Sequence, residues 1–114
     1  MSEILFAGVP VADFAAARAW YERLFGRPAD VLPHETEAMW QVAEAGWIYI
    51  VGDAERAGRA LVTVMVDDLD ARLDAIADAG LPIGPVAAVG GGRKVEVTDP
   101  DGNRIGFAEV PRAD

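Results

Sequence analysis

Few side chains in this sequence are equipped for acid–base, metal or nucleophilic chemistry. The one histidine, His34, sits in Leu32-Pro33-His34-Glu35, with Glu37 close behind. An imidazole beside carboxylates can serve as a general base or share a metal ion, although a lone loop histidine is more often simply solvated. Near the other end of the chain, Lys94, Glu96 and Arg104 offer a carboxylate that could take a proton and a guanidinium that could hold an oxyanion. Their plainer role is to pair with one another. Trp47 and Tyr49 alternate along one apolar stretch and offer ring faces to a flat organic ligand. Their plainer roles are a hairpin cap, a dimer contact or barrel packing. Gly90-Gly91-Gly92 lacks the Lys-Ser/Thr and the helix that a phosphate cradle needs, so it reads as a loop.

Scarcity excludes several classes. With no cysteine among 114 residues, disulfide scaffolds, thiolate zinc sites and cysteine nucleophiles are out. One histidine excludes multi-histidine metal cages. Nineteen acidic against ten basic side chains give a net charge of −9, which argues against nucleic acid as a partner. The longest apolar run, Trp47 to Val51, is strand-length and far short of a membrane span. Met1-Ser2-Glu3 lacks the basic region of a signal peptide, so a soluble cytoplasmic protein is expected.

The elements that must position these residues come as an internal repeat. Val11-Ala12-Asp13-Phe14 and Val66-Asp67-Asp68-Leu69 each close an apolar stretch and open a helical pattern, at an offset of 55. Strands are expected from Ile4 to Val11 and from Ala60 to Val66. The first helix carries Phe14, Ala17, Tyr21 and Leu24, capped by Asp13 and stopped at Gly26. The second carries Leu69, Leu73, Ile76 and Ala77, capped by Asp68 and stopped at Gly80. Strand pairs follow each helix, Glu37 to Ala43 with Trp47 to Gly52, and Arg93 to Thr98 with Arg104 to Val110, with short strands near Ala29 to Leu32 and Pro85 to Val89. The second pair turns at Asp99-Pro100-Asp101-Gly102-Asn103. The expectation is one α+β domain over residues 1–114: a βαβββ module at 4–52, a linker at 53–59 and a second module at 60–110.

Three segments at these spacings carry a family likeness: Val11-Ala12-Asp13-Phe14 running into Ala19-Trp20-Tyr21-Glu22-Arg23-Leu24-Phe25-Gly26, then Val66-Asp67-Asp68-Leu69-Asp70, then the Asp99–Asn103 turn. The chain resembles the vicinal oxygen chelate superfamily of glyoxalases, bleomycin-resistance proteins and extradiol dioxygenases, from Ile4 to Val110. The resemblance implies open half-barrel sheets with helices outside and a ligand cleft inside. It implies metal-ligand positions at Phe6, Leu61 and Gly106, with the fourth at Val51 or Ile50. None of these side chains binds a divalent cation, so neither metal nor cofactor is expected.

Strand alternation then gives the cleft lining. If Phe6, Leu61 and Gly106 face inward, the lining is Phe6, Met39, Trp47, Tyr49, Leu61 and Met65, with Gln41, Thr63, Glu96 and Arg104 as its polar part. Leu5, Ala7, Val9, Val62, Val64, Val66, Ile105 and Phe107 then face the helices, an apolar set that supports the register. Trp20 and Trp40 are assigned to the core. Pro10 removes a ladder donor, so the first strand should be an edge or bulged there, and an exposed edge invites a homodimer.

The leading functional expectation is a metal-independent small-molecule binder that resembles the bleomycin-resistance branch, holding a cationic aromatic drug or metabolite drawn by the negative charge. The alternative is a divergent lyase, isomerase or dioxygenase of the same superfamily, with Glu96 or His34 as base and Arg104 as oxyanion holder. A third is an interaction module whose cleft is filled by its own side chains.

Overall fold

The structure, a computed structural model, describes residues 3–110. Met1 and Ser2, on which the signal-peptide expectation rests, lie outside the described residues, as do residues 111–114 of the expected domain span. The first module runs β1 (Leu5–Val11), α1 (Phe14–Phe25), β2 (Val31–His34), β3 (Glu37–Ala43) and β4 (Gly46–Gly52). The second runs β5 (Leu61–Met65), α2 (Leu69–Asp78), β6 (Ala87–Val89), β7 (Gly92–Thr98) and β8 (Arg104–Glu109). Each module makes its own four-stranded sheet, in the orders β1-β4-β3-β2 and β5-β8-β7-β6. The sheets are open and mixed, because β1 and β5 run parallel to β4 and β8 while the remaining neighbours are antiparallel. Among the described residues no helix is long and apolar enough to cross a membrane.

The helices start where local chemistry dictates. Asp13 and Asp68 adopt extended backbone, and each side chain accepts the N–H three residues on, from Ala16 and Ala71, at 3.1 Å. Gly26 ends α1 at φ 73°, a left-handed conformation that only glycine adopts without strain. The second helix ends differently, with Ala79 still right-handed and Gly80 taking the positive φ just beyond. Helical spacing overstates the buried face of α2: Leu69 and Ile76 are buried, Leu73 is half-buried and Ala77 is exposed.

One hydrophobic cluster joins both modules. It takes Val9, Val11, Ala38, Trp40, Ile48 and Ile50 from the helix side of the first sheet and Val95, Val97, Ile105 and Phe107 from that of the second. Trp40 is fully buried as expected, whereas Trp20 is only half-buried, edge-on to Tyr21 at 4.7 Å. Leu5 shares the helix-side parity but is 71% exposed.

Polar groups fasten the Asp99–Asn103 turn of the second module to the first. The buried Tyr21 hydroxyl donates to Asp99 Oδ2 at 2.8 Å. Asp99 Oδ1 accepts the N–H groups of Asp101 and Asn103, both at 2.9 Å. Asn103 Nδ2 donates to Asp99 Oδ2 and to the Pro10 carbonyl, each at 2.8 Å. Asp101 accepts the Ala12 N–H at 3.2 Å, and Asn103 Oδ1 accepts the Ala60 N–H at 2.9 Å. Burial, and then the charge of Asp99, push the ionisation of Tyr21 well above the ordinary phenol range.

Candidate functional site

The candidate ligand residues alternate with the buried core positions along each strand, and the ladders set them side by side across each sheet. On the first sheet Phe6 pairs with Trp47, Gly8 with Tyr49, Met39 with Tyr49 and Gln41 with Trp47. On the second, Leu61 pairs with Arg104, Thr63 with Gly106, Glu96 with Gly106 and Thr98 with Arg104. One position moves. The residue that occupies the place of Gly106 in the first module is Tyr49, since Gly8 pairs with it as Thr63 pairs with Gly106; Val51 and Ile50 are not equivalent to it. The offset is 55 before the turns and 57 on β4 and β8, which shifts the match by two residues.

The first sheet presents an aromatic platform. Phe6 and Trp47 stack with centroids 6.2 Å apart and planes 26° from parallel. Tyr49 lies across Gly8: a Cβ built on Gly8 would stand 2.6 Å from the phenol oxygen and 2.7 Å from Cζ, so the ring needs the missing side chain. Met39 is half-buried alongside. Gln41 is engaged elsewhere, its amide donating to the Glu44 carbonyl at 2.9 Å and closing the β3–β4 turn.

The second sheet presents charge. Glu96 is bracketed by Lys94 Nζ at 3.6 Å and Arg104 Nη1 at 3.5 Å. Both pairs are long and partly exposed, so each contributes little to stability and leaves the groups available to a ligand. Lys94 lies over Gly106, where an added Cβ would stand 2.9 Å from its Cε and 3.1 Å from Thr63 Oγ1. A hollow of about 330 Å³ opens here, lined by Ala87, Lys94, Glu96 and Thr98 with Gly84 and Pro85. Lys94 is absent from the lining expected from strand alternation; the missed signal is a long side chain opposite a glycine.

His34 is not in a loop. It ends β2 and pairs across the hairpin with Glu37, Nε2 to carboxylate at 2.9 Å. The Thr36 N–H lies 3.3 Å from its Nδ1, so that nitrogen accepts and the other donates. Both nitrogens are therefore engaged. Among the described residues no group of three or more His, Asp or Glu side chains could hold a metal ion.

Within one chain the two halves of the expected lining meet only at their margins. Among the described residues no ladder joins the sheets, and β1 and β5 are both edge strands. A cavity of about 570 Å³ lies between the modules on the helix side, where Gln41 and Met65 reach its border. Trp47 and Thr63 border a smaller neighbour of about 220 Å³.

Comparison with known proteins agrees with this architecture. Residues 3–107 match the family described as Glyoxalase/Bleomycin resistance protein/Dioxygenase superfamily. A glyoxalase/bleomycin resistance protein from Catenulispora acidiphila DSM 44928 is 48% identical, with a TM-score of 0.92 over 96% of this chain and 100% of that one. A glyoxalase/bleomycin resistance protein from Streptomyces sp. CB03234 is 25% identical, with a TM-score of 0.70 over 93% of this chain and 98% of that one. An antibiotic binding protein from the same Streptomyces strain shares the fold at 21% identity, with a TM-score of 0.77 over 97% of this chain and 98% of that one. No curated protein matches the chain.

Proposed function

The chain belongs to the Glyoxalase/Bleomycin resistance protein/Dioxygenase superfamily, and on that premise we propose that it binds a flat aromatic small molecule without a metal ion. One observation carries this reading: Phe6 and Trp47 stack on the open face of the first sheet, with Tyr49 two residues along the same strand as Trp47 and Phe6 still 49% exposed. Aromatic faces left in solvent stabilise a stacked ligand by shedding water from both partners. A fold relative that is an antibiotic binding protein supports a drug-like ligand.

Metal independence rests on side-chain chemistry. Phe6, Leu61, Gly106 and Tyr49 include no imidazole and no carboxylate. Of the bases in the enzymatic alternative, His34 is engaged by Glu37 and Thr36. Ligand charge is set by two ranges of interaction. The −9 of the whole chain draws a cation from a distance. At contact the second sheet offers two cations against Glu96, so the ligand also carries acceptors for Lys94 and Arg104.

The complete cleft is proposed to form in a cytoplasmic homodimer, with the first sheet of one protomer facing the second sheet of its partner. Support comes from the free edges of β1 and β5 and from large apolar side chains left exposed on them, Leu5, Phe6, Leu61 and Met65. Tryptophan fluorescence tests the reading with a bleomycin-type cationic drug and an uncharged aromatic of similar size. Near-stoichiometric quenching by the drug, lost in Trp47→Leu, is expected. Absence of quenching at large excess of both compounds, or quenching unchanged in Trp47→Leu, overturns it.

A further inference from the structure

The two junctions between the modules are equivalent by the repeat but are filled differently. Gln41 pairs with Trp47 as Thr98 pairs with Arg104, so Val42 to Gly46 stand where Asp99 to Asn103 stand. At the first junction that turn carries the Asp99, Asp101 and Asn103 side chains into Tyr21, Ala12 and Pro10. At the second the corresponding residues are Val42, Glu44 and Gly46, and the counterpart of Tyr21 is Ile76. No equivalent bonds form there among the described residues. What remains is the cavity of about 570 Å³, a volume within the roughly 300–1,000 Å³ of small-molecule sites.

Its lining is part apolar and part polar; Arg27 at its border is spent on Asp30 and the Gln41 carbonyl, and two charges are uncommitted. Phe25, Val42, Val64 and Phe107 supply the apolar wall, and Arg72 and Asp67 face the same space. The Arg72 guanidinium rests over the Phe107 ring, 5.4 Å from its centroid, and makes no ion pair among the described residues. Asp67 also makes none, while its neighbour Asp68 is spent on the Ala71 N–H. A cation held on one ring keeps its other face and its donors for a ligand. A bare anion would meet the carboxylates of Asp67 and Asp68, and a bare cation would meet Arg72. A molecule carrying both charges satisfies the pair.

We propose that this second junction binds a small zwitterion with an apolar body, the chemistry of a free amino acid with an aromatic or branched side chain. Its carboxylate pairs with Arg72, its ammonium with Asp67, and its side chain fills the space that the Asp99 turn fills at the first junction. The site is separate from the aromatic platform and does not depend on it.

Amide chemical shifts of the full chain during titration with L-phenylalanine and L-leucine test the proposal. Millimolar or tighter binding is expected, with shifts centred on residues 64–75 and reaching Phe25, Val42 and Phe107. The half-charged analogues 3-phenylpropionate and phenethylamine should each bind at least tenfold more weakly. Arg72→Gln and Asp67→Asn should each weaken L-phenylalanine at least tenfold, and Ala75→Leu should block it by volume alone. The proposal is overturned by absence of shifts at millimolar ligand, or by shifts centred on Phe6, Trp47 and Tyr49 instead. Equal binding of the analogues, or a second copy of the chain occupying the junction in solution, overturns it too.

Discussion

Replacing Tyr21 with Phe removes one hydroxyl and leaves the packing against Trp20, Phe25 and Trp40 in place. The lost bond is a 2.8 Å contact from a buried phenol to the Asp99 carboxylate. Hydrogen bonds to charged groups contribute about 1.5–3 kcal/mol, and the vacated Asp99 Oδ2 keeps only Asn103 Nδ2. Unfolding entropy of about 2.1 cal/mol/K per residue gives roughly 0.24 kcal/mol/K for this chain, so the melting temperature should fall by about 6–12 °C. Thermal unfolding by circular dichroism at neutral pH and fixed protein concentration reads this directly. Combining Tyr21→Phe with Asp99→Asn should cost less than the sum of the two, because both remove the same contact. Alkaline pH gives an independent arm. Tyr21 is held protonated in the fold, while the unfolded phenol ionises near pH 10. Its stabilisation is therefore complete below about pH 10 and is lost above it at about 1.4 kcal/mol per pH unit. The gap between the natural chain and Tyr21→Phe should narrow over that range. A melting temperature within about 2 °C of the natural chain at neutral pH, a small fraction of the expected shift, would falsify the latch.

Two further substitutions test close approaches. Gly8→Ala forces the Tyr49 phenol off β1, at the low end of the about 1–3 kcal/mol of overpacking because the ring end can swing aside; aromatic-ligand quenching should weaken with it, and unchanged quenching would refute the ring's part in binding. Gly92→Ala drives a methyl group into the Glu109 carbonyl, a backbone atom that cannot swing aside; urea unfolding should show a loss of at least the same order, and an unchanged midpoint would refute the contact.

The sequence by itself determined the modules and what lies on each sheet face. Asp13 and Asp68 mark the helix starts because capping is chemistry between near neighbours. Alternation put Phe6, Trp47 and Tyr49 on one side and Val9, Ile48 and Ile50 on the other, because the pleat repeats every two residues. His34 was misread because Pro33 and two flanking polar residues resemble a turn, while its cross-strand partner Glu37 is visible only once the hairpin forms. Tertiary structure alone decided how the modules meet. Tyr21 and Asp99 are 78 residues apart, and nothing local links a phenol in the first helix to a turn near the end of the chain. That distant pairing fills one junction, while its twin, without such bonds among the described residues, holds the cavity. The one histidine and the aromatic pair were legible as residues. Their surroundings depend on long-range packing, which no short stretch of sequence encodes.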